Sequence, residues 1–113
     1  FGAEKLRAWL WSTTVSDEVT LERMKKTYDT YGYIACPHTS VGLEALERYR
    51  KETNDLRPVI TLACAHPAKF PEAVSKALGI TPPKEETLEQ LLHGETNVKL
   101  IEPNVLALKQ ELL

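Results

Sequence analysis

The sequence predicts an α/β fold in which a strand followed by a helix occurs three times. Two observations lead to this prediction. The apolar run at residues 59–63 stops abruptly before a helical pattern that opens with Pro71, and two similar changes from strand to helix precede it. Strands that are apolar throughout, joined by helices, are typical of a parallel sheet covered on both faces. We therefore predict part of a three-layer parallel sheet, followed by a helical tail with a possible edge strand.

The first strand is predicted over residues 6–15, which are rich in bulky and β-branched side chains. A helix should follow, because Ser16 offers an N-cap hydroxyl and two acidic residues come directly after it. Gly32 is expected to end this helix, and Arg23 to point outward with its other charged residues. The predicted buried face keeps 3-4-3 spacing and contains Leu21, Met24, Tyr28 and Tyr31.

The second strand is predicted over residues 33–36, because this apolar segment is too short for a helix and Pro37 closes it. The next helix is predicted to begin at His38 and to reach about Glu52. Its charged residues are expected to be solvated. Its buried face is predicted to contain Gly42, Ala45, Leu46 and Tyr49.

The third strand is the run 59–63, and Gly79 is predicted to end the helix that begins near Pro71. Beyond Gly79 the pattern changes, and we predict a C-terminal extension over residues 80–113. Its predicted elements are a short helix at 85–92 capped by Gly94, the possible edge strand at 97–102 and a last helix started by Pro103 and Asn104.

Composition excludes several classes of protein. The 113 residues carry 14 basic and 16 acidic side chains, and no basic stripe interleaved with aromatic residues occurs, so we expect no nucleic-acid partner. No apolar run approaches the ~20 residues of a membrane helix, and no signal peptide is recognisable. We therefore expect a cytoplasmic protein with no membrane partner, and its two cysteines, Cys36 and Cys64, should be reduced.

Two similar junctions carry the chemically interesting side chains: Cys36-Pro37-His38-Thr39 and Cys64-Ala65-His66-Pro67. In a parallel sheet both would lie at one edge, roughly 5 Å apart, and would look into one crevice. Three interpretations remain open. The residues could have ordinary packing and backbone-bonding roles. Two cysteines and two histidines could fill a zinc shell, although Cys-x-His is not a zinc-finger spacing. A cysteine paired with a histidine could also act as a nucleophile.

Four motifs resemble the C-terminal part of threonine synthase and of the threonine-synthase-like proteins. They are V-S-D-E at 15–18, P-H-T-S-V-G at 37–42, A-H-P-A-K-F-P-E-A-V at 65–74 and N-V-L-A-L-K at 104–109. The resemblance implies that residues 1–113 are the C-terminal segment of a pyridoxal-phosphate-dependent large domain of the tryptophan-synthase-β type. In this interpretation residues 6–79 are a Rossmann-like half.

The resemblance also implies a reaction. Enzymes of this family convert O-phosphohomoserine into threonine and phosphate by γ-elimination and β-addition of water, with a cofactor-binding lysine and a glycine-rich phosphate loop in the N-terminal half. Lys69 belongs to the A-H-P-A-K-F motif and is not that lysine, so the chain alone is expected to be inactive. No residue is assigned to catalysis or to a metal. The implied cofactor-binding residues are Cys64, Cys36, His38, Ala65 and His66.

Two positions differ from the family pattern. Many relatives have an acidic residue at the position of Cys36 and threonine at the position of Cys64. In this fold a hydroxyl at the latter position resembles the group that bonds the pyridine nitrogen of the cofactor, and a thiol replaces it only as a weaker partner. Two alternatives therefore stand beside threonine synthase: a phospho-lyase that forms a 2-oxo acid, and a binding module that keeps the fold without the chemistry.

Overall fold

The structure is a computed structural model that describes residues 2–7 and 9–112. Within these residues the chain forms α-helices joined by irregular segments, and none of the helices is long and apolar enough to cross a bilayer. The elements are α1 (Ala3–Arg7), α2 (Asp17–Tyr31), α3 (Pro37–Thr53), a 3₁₀ turn (Pro67–Lys69), α4 (Pro71–Leu78), α5 (Glu86–Leu92) and α6 (Val105–Leu112).

The predicted α/β fold with a parallel sheet is wrong, since the described residues contain no β-strand. Residues 33–36, 59–63 and 97–102 are irregular, and the predicted strand at 6–15 begins instead within α1, with Ala8 lying outside the described residues. The physical reason lies in the backbone. A strand needs hydrogen bonds to a neighbouring strand, but every backbone bond found outside the helices joins residues two to four positions apart. The apolar and β-branched composition of these segments is therefore not sufficient for them to pair as strands.

The core lies where α2 packs against α3 and α4. Met24 of α2 and Val74 of α4 are fully buried, together with Ala35 and Cys36 just before α3. The buried face of α2 differs from the prediction, because threonines flank Met24 and Tyr31 is 79% exposed. Thr20 and Thr27, the two buried threonines, each donate their hydroxyl at 2.8 Å to the carbonyl four residues earlier. Their polar atoms are thus satisfied within the helix.

Arg23 contradicts the predicted outward position of the charged residues on α2. Its side chain is only 13% exposed and bridges to α3, where it donates to Glu44 at 2.6 Å and also to Glu47. Both glutamates have further partners: Arg48 bonds Glu44, and two lysines bond Glu47. A partly buried ion-pair network therefore joins the two longest helices.

The predicted ends of α2 and α4 are confirmed, whereas α5 is capped by His93 and not by Gly94 as predicted. The Ser16 hydroxyl accepts a hydrogen bond from the Val19 N–H at 3.4 Å, and Gly32 ends α2 with a φ of 65°. Gly79 ends α4 in the same left-handed conformation, and Asn104 accepts from the Ala107 N–H at 2.9 Å before α6. These signals depend only on neighbouring residues, which explains why the sequence predicts them well.

The predicted apolar face of α3 is half-buried beneath two other segments. The Trp11 ring meets the Tyr49 ring edge-on with centroids 5.5 Å apart, and its indole N–H donates to Glu52 at 3.1 Å. On the same face, Gly42 lies so close to Thr61 that a Cβ on the glycine would be 2.7 Å from the threonine methyl. Close approach of the segment around Thr61 thus requires a glycine in this helix.

Candidate functional site

An open groove of ≈ 500 Å³ lies between the end of α2 and the turn that precedes α4. We call it the junction groove. Its lining residues are Gly32, Tyr33, Ile34, Ala63, Ala65, His66 and Pro67. Its size lies within the usual range for small-molecule sites, about 300–1,000 Å³. Two larger grooves flank α3, but neither contains a predicted site residue.

His66, which belongs to the A-H-P-A-K-F motif, supplies an imidazole to the junction groove. Its Nδ1 accepts a hydrogen bond from the Ala68 N–H at 3.2 Å and thereby caps the 3₁₀ turn. Because Nδ1 is the acceptor, the neutral ring carries its proton on Nε2, which is then the nitrogen that can donate to a ligand.

Glu85 places a carboxylate within electrostatic range of His66. The pKa of Glu85 is lowered chiefly by the hydrogen bond that it accepts from the Leu88 N–H, and a positive charge on His66 would lower it by a smaller amount. The Leu88 bond measures 2.9 Å and caps α5. The same carboxylate therefore starts a helix and adds negative charge on one side of the turn.

Cys36 has a structural position. It is fully buried, and its Sγ accepts a hydrogen bond from the Thr39 N–H at 3.5 Å and lies 3.2 Å from the Thr39 hydroxyl. Cys36 is thus the N-cap of α3, and Pro37 follows as the first helical residue. It is absent from the lining of the junction groove.

His38 contacts an aromatic residue that the sequence analysis did not select. Its ring and the ring of Phe70 have centroids 5.0 Å apart with an interplanar angle of 57°. The contact joins the first turn of α3 to the residue between the 3₁₀ turn and α4. The available signal was the position of Phe70 in the A-H-P-A-K-F motif, four residues after His66.

Cys64 is an exposed, free thiol and does not line the junction groove. The structure therefore brings two of the five predicted residues, Ala65 and His66, together in the groove, and the other three are not among its lining residues. Their contact with a cofactor stays a prediction. As for a metal, no group of three or more His, Cys, Asp or Glu side chains converges within the described part of the chain.

The groove fits one part of pyridoxal phosphate and not another. Its apolar walls and single imidazole suit the face and one polar atom of a planar ring. No lysine or arginine is among its lining residues, and the five glycines of the chain stand singly, so a cradle for the phosphate is missing from this lining. The lining residues thus suit contact with the ring of the cofactor and do not suit binding of its phosphate.

Comparison with known proteins gives one consistent family. A family model described as "Threonine synthase, C-terminal" matches residues 39–112. Threonine synthase of Pseudomonas aeruginosa is 39% identical over 97 residues, covering 85% of this chain and 20% of that protein. Threonine synthase of Schizosaccharomyces pombe is 44% identical over 68 residues, covering 59% and 13%. Human threonine synthase-like 2 is 36% identical over 101 residues, covering 86% and 20%.

No solved structure matches the chain significantly. The chain spans a fifth or less of the length of these curated relatives. The family match includes α3 from Thr39 onward, the junction-groove turn and α4, and so contains four of the seven residues that line the groove. On this evidence the chain belongs to the threonine synthase family and corresponds to its C-terminal part.

Proposed function

We propose that this chain is the C-terminal portion of a threonine-synthase-type enzyme that acts on O-phosphohomoserine with pyridoxal phosphate and forms threonine and phosphate. The observation that carries the proposal is the family match over residues 39–112, which includes Ala65 and His66 of the junction groove. The chain spans about a fifth of its relatives. We therefore assign the cofactor-binding lysine and the phosphate loop to the part of the enzyme that this chain does not cover.

The residues of this chain would form a wall of the site. Pyridoxal phosphate, when bound, supplies an electron sink for breaking bonds next to the amino group of the substrate. The apolar lining at Ile34 and Ala63 would keep water from one face of the ring, and Nε2 of His66 would donate to an anionic group and orient it. Cys64, as an exposed thiol, is the residue that we assign to the ring nitrogen, where it would be a weak, neutral partner.

Exposed apolar side chains support a larger assembly around this segment. Ile60 and Leu62 are 89% and 79% exposed, and Val59 is also exposed. We propose that the remainder of the enzyme covers them, since burying such side chains is favourable by about 1.5–3 kcal/mol each. Hydrogen exchange of residues 59–63 should be slower in the full-length enzyme than in the isolated chain, and equal rates would contradict this assignment.

The reaction is tested on the full-length polypeptide that carries this chain. Purified protein is incubated with O-phosphohomoserine, and released phosphate, threonine and 2-oxo acid are each quantified. We expect threonine and phosphate in equal amounts, together with the absorption band of a bound pyridoxal cofactor. Phosphate with 2-oxo acid instead of threonine would favour the phospho-lyase, for which the thiol at position 64 is the specific argument. A folded protein with neither cofactor absorption nor phosphate release would overturn the enzymatic proposal.

Matched variants connect the activity to this chain. His66→Asn keeps a side-chain acceptor for the Ala68 N–H but removes the imidazole, so the turn should persist. We expect kcat/KM to fall about ten- to hundredfold, the effect of losing a hydrogen bond to a charged group. Cys64→Thr introduces the residue common in relatives and should shift the cofactor absorption band, whereas an unchanged band would remove Cys64 from the ring nitrogen.

A further inference from the structure

We infer that the contact between His38 and Phe70 is a positioning device that holds the turn at residues 64–70 against the start of α3. The inference deepens the proposed function, because this turn contains Cys64 and His66 and forms one side of the junction groove. It concerns the backbone of the turn, however, and can be tested whether or not a cofactor binds.

Phe70 lies where the turn changes into α4. Its N–H donates to the Pro67 carbonyl at 2.9 Å, and its carbonyl accepts from the Val74 N–H at 3.0 Å. Val74 is fully buried in the core, so the backbone after Phe70 is firmly anchored. The side chain of Phe70 has no hydrogen-bonding group, and its ring packs against the ring of His38.

His38 is itself held in place by the start of α3. Pro37 fixes its own φ at the first helical position, and the Cys36 thiol accepts from the Thr39 N–H at 3.5 Å. The ring distance of 5.0 Å to Phe70 and the tilt of 57° lie in the favourable range for aromatic pairs. A physical path therefore runs from the buried cap, through His38, to the turn that borders the groove.

The part of the turn that lines the junction groove, around His66, is held in place less firmly than Phe70. The bond from the Ala68 N–H to Nδ1 of His66 is local to the turn, so it shapes the turn without attaching it to a helix. The Glu85 carboxylate bonds the Leu88 N–H at the start of α5, so it does not attach the turn to α3. Among the described residues, the His38–Phe70 contact thus connects this exposed segment to α3 by side-chain packing.

Hydrogen exchange of the full-length polypeptide, measured by mass spectrometry, tests the inference. The probes are the amides of Ala68, Lys69 and Phe70, each of which donates a hydrogen bond within the turn. Phe70→Leu keeps an apolar side chain of similar size but removes the ring. We expect these amides to exchange about two- to tenfold faster. Loss of the aromatic pair lowers the free energy needed to open the turn, and exchange occurs from the open state.

Four comparisons make the result decisive. Phe70→Tyr keeps the ring and should restore slow exchange. His38→Ala should match Phe70→Leu, and the double variant should add nothing further. Tyr31→Leu, which alters an exposed aromatic residue elsewhere, should leave these amides unchanged. Unchanged exchange in Phe70→Leu would overturn the inference, as would acceleration that extends equally through α2, because the role would then be global stability.

The cofactor supplies a second readout. If the turn positions the ring, the emission maximum of bound pyridoxal phosphate should shift in Phe70→Leu and return in Phe70→Tyr. If the amides of Phe70→Leu exchange faster but the emission maximum of the cofactor does not shift, the turn does not position the cofactor. Absence of any cofactor signal in the unmodified enzyme would instead count against the proposed function, and the exchange data would still decide the positioning contact.

Discussion

Arg23 is the residue whose replacement should most weaken the packing of α2 against α3. Its guanidinium is 13% exposed and donates to Glu44 through Nε at 3.0 Å and Nη2 at 2.6 Å, and it also bonds Glu47. Arg23→Met removes the charge and these donors while retaining an unbranched aliphatic chain. The variant therefore leaves two carboxylates of α3 without their interhelical arginine.

The expected loss follows from what each carboxylate retains. A hydrogen bond to a charged group contributes about 1.5–3 kcal/mol, and a lost partner is most costly when the remaining group is buried. Glu44 keeps Arg48 at 2.9 Å, and Glu47 keeps two lysines at 2.9 and 3.1 Å. Because these partners compensate in part, we expect the free energy of unfolding to fall by about 2–3 kcal/mol.

The pH dependence gives a second, independent signature. Hydrogen bonds from Lys51, then Arg23 and Lys26, lower the pKa of Glu47 from 4.5 to about 2. Since the folded pKa lies below the unfolded value, this stabilisation is fully present above pH 4.5 and is lost as the pH falls toward 2. Arg23→Met should therefore show a weaker decrease in stability over this pH window.

Urea unfolding followed by tryptophan fluorescence at pH 7 and pH 3 measures both effects. Lys25→Met is the matched control, because Lys25 pairs with Asp29 at 3.0 Å on the same helix but both side chains are more than half exposed. It should cost no more than about 0.5 kcal/mol. If Arg23→Met cost as little as this control, or kept the full pH dependence, the interhelical network would not stabilise the fold as we argue.

Substitutions at three further positions, each with a matched second variant, test local packing by the same unfolding assay. Gly42→Ala should lower stability by about 1 kcal/mol, since crowding against Thr61 outweighs the gain in helix propensity, and Thr61→Ser should relieve the loss; an unrelieved loss would contradict this. Cys36→Ala should cost about 0.5–2 kcal/mol by removing the cap of α3, and Cys36→Ser should cost clearly less. Thr27→Val should change stability by less than about 0.5 kcal/mol, because its hydroxyl bonds only its own helix, whereas Thr27→Ser should cost about 1 kcal/mol for the lost methyl.

Predictions from local signals succeeded, and those that required distant partners did not. Ser16, Gly32 and Gly79 specify helix ends through bonds to residues a few positions away, so their roles can be recognised in the sequence. Residues 59–63 have the composition of a buried strand, yet Ile60 is 89% exposed and the segment has no regular structure. Composition indicates a preference, but pairing depends on a second segment that the preference does not identify.

The same distinction applies to side chains on α2 and around the site. Counting apolar residues selected Tyr31 for the core, but threonines that bond their own helix occupy that face. The Arg23 side chain is only 13% exposed because α3 presents two glutamates to it. At the site, the capping role of His66 follows from its position before Pro67 and Ala68. The contact of His38 with Phe70 joins residues 32 positions apart, and no local pattern announces it.

The two cysteines look equivalent in the sequence, since each precedes a histidine by two residues, but their replacement should have different consequences. Cys36 is buried and holds the start of α3, so a change there can reach the junction groove through the contact of His38 with Phe70. Cys64 is an exposed, free thiol, so under the proposed function a change there would alter the contact with the cofactor and leave the fold intact. Replacing Cys36 should therefore lower the stability and also alter the activity of the enzyme. Replacing Cys64 should alter the activity without changing the stability.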